Sequence, residues 1–233
     1  MKILTAIILL FAINVSAQNP NFEKWQELAN NDINLQPEFG DLEKNESQIK
    51  ADNDFIEEIL KHYDNKQDAS KKMTELGFQY IYERRDLQTA MKRFNQAYLL
   101  EPKNADIYYG YGTIYFNLGA MESAREQFDK GLLINPNHSK MLTDYGTTYL
   151  GDYYNSVNTN PEKAAENLNN SVKYLEKAYS IDEKNSDTIY KLSIINMYLG
   201  DCKKANKYLD KADKMKNPNI TEEFKAELKQ KCG

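Results

Sequence analysis

The sequence predicts an all-α chain, an α-solenoid of about four helical hairpins with flanking N- and C-terminal helices. Three observations predict it. One spacing of aromatic, Gly and small residues occurs four times. The links between copies also repeat: Tyr98-Leu-Leu-Glu-Pro-Lys-Asn-Ala-Asp106 parallels Tyr179-Ser-Ile-Asp-Glu-Lys-Asn-Ser-Asp187. On either side of the repeats, apolar residues recur at three- and four-residue intervals, the signature of one helix face.

The first segment, residues 1–17, reads as a signal peptide. Lys2 provides a basic start, Ile3 to Val15 is mostly apolar, and Val15-Ser16-Ala17 is a small-residue cleavage signal, so the mature chain is expected to begin at Gln18. The apolar run is shorter than the roughly 20 residues that a membrane span needs. No Cys follows it, which argues against a lipoprotein. The expected location is therefore exported, periplasmic or extracellular, with no membrane span after cleavage.

Residues 18–45 form an N-terminal arm. Asn19, Pro20, Gln36, Pro37, Gly40 and Asp41 read as helix breakers, yet Trp25, Leu28, Ile33, Leu35 and Phe39 are too apolar for a free linker. The arm either packs on the first helices, fills the groove of the solenoid, or is a disordered leader. Residues 46–69 are read as a leading helix: Ile49, Phe55, Ile56, Ile59 and Leu60 share one face, and the helix should end near Asn65 and cover the first repeat.

Residues 70–217 hold the four repeats. The clearest copy is Tyr108, Tyr111, Gly112 and Tyr115, then Ala124 and Phe128, then Pro136. Two antiparallel helices follow from it. Gly112 sits where they cross, Gly119 ends the first helix by taking a left-handed conformation, and Pro136 stops the second. The first copy is Met73, Leu76, Gly77 and Tyr80, then Ala90, Phe94, Ala97 and Pro102, with one extra residue in its inner turn. The third is Leu142, Tyr145, Gly146 and Tyr149, then Ser171, Leu175 and Ala178. The fourth is degenerate, with Ser193 for Gly and Asn196 for Tyr, followed by Ala205, Leu209, Ala212 and Pro218. In the third copy, 22 residues separate Tyr149 from Ser171, where nine separate Tyr115 from Ala124; the 13-residue insertion reads as a taller hairpin, with Asn160-Pro161 opening its second helix.

Residues 218–233 are expected to form a C-terminal capping helix. Asn219-Ile220-Thr221-Glu222 resembles a capping box, and Phe224 and Leu228 would dock the helix onto the fourth copy. Cys202 and Cys232 are the two cysteines. From Cys202 the chain climbs roughly 21 Å and from Ile220 it returns roughly 18 Å, at 1.5 Å per helical residue. The two sulfurs then meet at one level, and a disulfide is expected, as suits an exported chain.

From Ser70 to Asn217 the chain resembles the tetratricopeptide repeat family. The resemblance implies a right-handed superhelix and a protein or peptide partner bound in a concave groove. It also implies which face lines that groove: Thr74, Phe78 and Ile81 in the first copy, Tyr109, Thr113 and Phe116 in the second, Thr143, Thr147 and Leu150 in the third, and Tyr190, Ile194 and Met197 in the fourth. From these, Phe78, Tyr109, Thr113, Phe116, Thr143, Thr147, Tyr190 and Ile194 are the candidate partner-binding residues. The family's clamp for acidic tails uses Lys and Asn at these positions; the residues here point to an aliphatic or aromatic segment instead. The alternative is that a tight superhelix or the arm buries this stripe.

Chemistry is sparse. His62 and His138 have no neighbouring Cys and no second His at helical spacing, so no metal site is expected. No nucleophile elbow, phosphate loop or dinucleotide fingerprint is present. The net charge is −5 and the Lys and Arg residues are scattered, which argues against nucleic acid as a partner. No catalytic residue and no cofactor are expected. The leading class is a non-enzymatic exported scaffold. Two others stay open: a hydrolase of envelope polymers using the repeats as a platform, and a structural assembly subunit.

Overall fold

The computed structural model describes residues 20–233, so the expected leader, its cleavage site and Gln18 lie outside the described residues. Helix α1 (Pro20–Asn31) is followed by two short 3-10 turns and by α2 (Glu46–Ile59). Four antiparallel pairs come next: α3 (Lys66–Tyr82) with α4 (Leu87–Leu100), α5 (Ala105–Asn117) with α6 (Met121–Ile134), α7 (Ser139–Ser156) with α8 (Pro161–Ile181), and α9 (Ser186–Tyr198) with α10 (Cys202–Lys214). Helix α11 (Glu222–Cys232) closes the chain against α9 and α10. The fold is all-α.

Each hairpin is closed by a small residue under a large one. Phe94 packs over Gly77, Phe128 over Gly112 and Leu175 over Gly146. The fourth crossing explains its own exception. Ser193 is fully buried, and its hydroxyl donates to the Ala205 carbonyl at 2.8 Å, so the extra atom is absorbed as a hydrogen bond. Three of the four inner turns use a left-handed residue: Gly119 (φ 76°) and Gly200 (φ 78°) supply it in the second and fourth, and in the first hairpin Arg85 (φ 53°) does so within the longer turn. In the third hairpin α7 extends to Ser156, and the Asn160 side chain accepts from the Lys163 N–H to start α8. The taller part is packed. Tyr153 and Tyr154 lie 5.0 Å and 5.7 Å from the Tyr198 ring of α9, and the Tyr198 hydroxyl donates to Glu227 of α11. The first helices touch their counterparts in neighbouring hairpins, α3 with α5, α5 with α7 and α7 with α9, so these faces line the inside of the curve.

The flanks differ from their sequence reading in three places. Pro20–Asn31 is helical although Pro20 reads as a breaker, because a Pro in the first turn has no intrahelical N–H to lose. The leading helix stops at Ile59 instead of near Asn65; Asn65 caps a new helix by accepting from the Asp68 N–H at 2.8 Å, so the first hairpin starts at Lys66. At the C-terminus the cap is Thr221, which accepts from the Phe224 N–H, and Asn219 turns instead to Asp187.

The arm is ordered and docks on the outer helix α4, with Trp25, Leu35 and Phe39 buried. Asn95 of α4 is its anchor. The Asn95 amide donates to the carbonyls of Asn34 and Gln36 at 3.0 and 2.9 Å, and its oxygen accepts from the Glu38 N–H and the Tyr111 hydroxyl. These bonds hold a left-handed turn at Glu38, Phe39, Gly40 and Asp41, with φ between 53° and 72°, a conformation that costs about 1–2 kcal/mol at each non-Gly residue. The Lys44 ammonium over the Phe39 ring and an ion pair between Lys130 and Glu38 close the turn from outside.

Candidate functional site

The inner faces of α3, α5 and α7, with the start of α9 and the link at Pro218-Asn219, enclose two adjoining clefts of about 580 Å³ each. Tyr82, Tyr109 and Lys140 line both. Helical spacing makes the wall: Asp106, Tyr109, Thr113 and Phe116 recur at three- and four-residue steps along α5 and so share one face. The arm sits on the opposite side of the hairpins and leaves this face uncovered.

Five of the eight candidate residues meet here. Phe78 lines one cleft, Thr113, Phe116 and Thr143 the other, and Tyr109 both. Thr147, Tyr190 and Ile194 line neither. The Tyr190 ring is buried against Phe224 of α11 at 5.2 Å, edge to face, and Ile194 packs, half-buried, against the core cluster shared by α9, α10 and α11. The threonine hydroxyls are spent within the protein, and Thr143 also shares a hydrogen bond with the Thr188 hydroxyl of α9 at 2.7 Å. Thr113 donates to the Tyr109 carbonyl, Thr143 to Ser139 and Thr147 to Thr143, so they add little hydrogen-bonding capacity to the surface.

Tyr109 is the floor of the trough. It is 8% exposed, its ring lies 5.2 Å from Phe78 and 5.0 Å from His138, and its hydroxyl donates to Asp144 at 2.9 Å. Burial, with Asp144 alongside, pushes the Tyr109 hydroxyl far up, so it remains a donor. Tyr82 stands proud at 61% exposure, stacked on Phe78.

The charged residues of the trough are what the sequence reading missed. Asp106, Asp144 and Asp187 come one each from α5, α7 and α9. His138 caps α7: its Nδ1 accepts from the Met141 N–H, which leaves Nε2–H to donate to Asp106 at 2.8 Å and holds that carboxyl below its ordinary value. Asp187 also lies below the ordinary value, since Lys191 and hydrogen bonds from Asn217 and Asn219 outweigh its burial. Asp144 is the exception. Burial raises its carboxyl, and Lys191 and the Tyr109 hydroxyl offset this only in part. A signal was present, because Asp106 and Asp187 sit three residues before Tyr109 and Tyr190, but one turn of helix is too short to show a trough built from three hairpins.

Asp144 therefore costs stability when charged. Below the unfolded-state value of about 3.9 both states are protonated and the cost is absent; it is fully present above the raised native value. Asp144→Asn, whose side-chain oxygen still accepts from Tyr109, is expected to melt at a higher temperature than the parent at pH 7. The gain should shrink as pH falls through the native value and vanish below about pH 3.5. A pH-independent difference in calorimetry would contradict the burial of this carboxylate.

Among the described residues no group of three His, Cys, Asp or Glu could hold a metal ion, and no helix is long and apolar enough to cross a membrane.

Residues 82–143 match the model of the tetratricopeptide repeat family. No curated protein matches the chain. Two solved structures are similar in fold. A thermophilic tetratricopeptide protein of Thermus thermophilus has a TM-score of 0.56 at 18% identity, covering 70% of this chain and 80% of that one. The pilF protein of Pseudomonas aeruginosa has a TM-score of 0.55 at 16% identity over 66% of this chain, which spans 64% of the pilF protein's length.

Proposed function

We propose that this chain is an exported scaffold of the tetratricopeptide-repeat kind, which holds an extended protein segment in the trough between Phe78 and Thr143. The observation that carries the reading is the trough itself. Aromatic residues from successive hairpins meet in two adjoining clefts on the inner faces, and neither the arm nor the packing of paired helices fills them. Export is supported by the basic, apolar and small-residue order of residues 1–17 and by the Cys202–Cys232 disulfide, a bond favoured in oxidising compartments.

Tyr109 is a poor residue with which to test binding, since its ring and hydroxyl hold the floor together. Tyr82 and Phe116 are better, because both line the trough and neither is fully buried. The experiment is affinity capture from an envelope fraction with the tagged exported protein, beside its Tyr82→Ser/Phe116→Ser variant. A partner retained by the parent and lost by the variant, at equal melting temperature, is the expected result. Equal retention by both would move binding off the trough, and a purified species still beginning at Met1 would remove the export reading.

A further inference from the structure

The trough is acidic as well as aromatic. Its lining carries Lys71 and Lys140 against five carboxylates, those of Glu75, Glu83, Asp106, Asp144 and Asp187. The carboxylates differ in how far they are satisfied from within. Asp106 is held by His138, and Asp187 by Asn217, Asn219 and Lys191. Asp144 takes one hydrogen bond, from Tyr109; the Lys191 ammonium acts on it from a distance but forms its ion pair with Asp187, at 3.8 Å. A carboxylate accepts several hydrogen bonds, so Asp144 keeps capacity that faces the same cleft as Asp187. Concave walls of low dielectric focus a field of one sign and draw in the opposite charge.

Beside these carboxylates stand Tyr109 and Phe116, which line the same cleft. Aromatic faces next to an acidic terminus suit a long cationic side chain, whose methylene stem lies on apolar surface while its head meets the charge. We propose that the segment held in the trough carries a lysine or arginine, with the cation seated at Asp144 and Asp187 and its stem against Tyr109 and Phe116. This rests on the trough being the docking face, and it adds the chemistry of the partner: a basic peptide segment of another protein, in place of an acidic or purely aliphatic one.

The test uses the whole disulfide-intact protein and three fluorescein-labelled extended peptides. The peptides share one Leu- and Tyr-containing background and differ at two central positions, which are Lys, Ser or Glu. In fluorescence anisotropy the Lys peptide should bind about tenfold or more tighter than the Ser peptide, as a charge-assisted hydrogen bond to a poorly solvated carboxylate implies. The Glu peptide should bind most weakly. Asp144→Asn/Asp187→Asn should abolish the difference in affinity between the Lys and Ser peptides. Lys140→Glu, at an exposed position, should tighten the Lys peptide, and added salt should weaken that peptide alone. Two outcomes overturn the inference in different ways. Equal binding of the Lys and Ser peptides, or preference for Glu, with all binding lost in Tyr82→Ser/Phe116→Ser, removes the cation and keeps the trough. Absence of binding by every peptide, or binding indifferent to Tyr82 and Phe116, removes both.

Discussion

Gly112→Leu is expected to lower stability by roughly 3 kcal/mol or more, the upper range for overpacking a closed site. A Cβ at residue 112 would lie 2.2 Å from Cε1 and 2.4 Å from Cδ1 of Phe128, well inside van der Waals contact, before any further leucine atom is added. Phe128 cannot step aside. It is fully buried, with the Tyr109 and Tyr145 rings 6.2 and 6.0 Å away, and each of those carries its own buried contacts. The strain must then separate α5 from α6 and break the central hairpin, on which both neighbouring hairpins rest. Urea or thermal unfolding, compared with the exposed substitution Lys177→Leu, measures the effect. A midpoint like that of the control would show that the crossing is loose. The series should also be graded. At Gly146 a Cβ would meet Leu175 Cγ at 2.9 Å and the Ser171 carbonyl oxygen at 3.0 Å, and at Gly112 it would meet a phenyl ring at 2.2 Å, so Ala should be tolerated better at residue 146 than at residue 112.

Loss of the Cys202–Cys232 disulfide is expected to cost about 3–4 kcal/mol in the chain-entropy model, given the sequence separation of 30 between the two cysteines. The Cα atoms are 5.3 Å apart, at the start of α10 and the end of α11. The local consequence should exceed the global one. Helix α11 has 11 residues, below the length at which an isolated helix holds together in water, and it buries only Phe224 and Leu228. Without the bond it should fray first, uncovering Tyr190 and loosening the link whose Asn217 and Asn219 hold Asp187. Hydrogen exchange of residues 222–232 in Cys202→Ser/Cys232→Ser, or in the reduced protein, should therefore rise before that of α5 and α6. An unchanged melting temperature on reduction, with α11 still protected, would show that packing alone holds the cap.

The sequence by itself determined the hairpins and their crossings. Those features are periodic and local: Gly112 with Ala124 and Phe128 recurs as Gly77 with Ala90 and Phe94, and a spacing that repeats can be recognised without knowing what it touches. The pairing of Cys202 with Cys232 was also legible, because two antiparallel helices of similar length bring their far ends level. The tertiary structure alone decided the rest. Asn95 reads the carbonyls of Asn34 and Gln36, about sixty residues away, and no local pattern marks an Asn on an outer helix as the anchor of an arm. The left-handed run at Glu38–Asp41 is stable only because Asn95, Tyr111 and Lys130 hold it. The trough follows the same rule. Tyr109 reads as a groove residue from the resemblance to the repeat family, but its place as the floor depends on Phe78, His138 and Asp144 arriving from α3 and α7. The acidic character arises only when Asp106, Asp144 and Asp187 are brought together from three helices. Helical periodicity reports which face a side chain is on; the field and burial at that face are sums over elements distant in sequence, and folding alone brings those elements together.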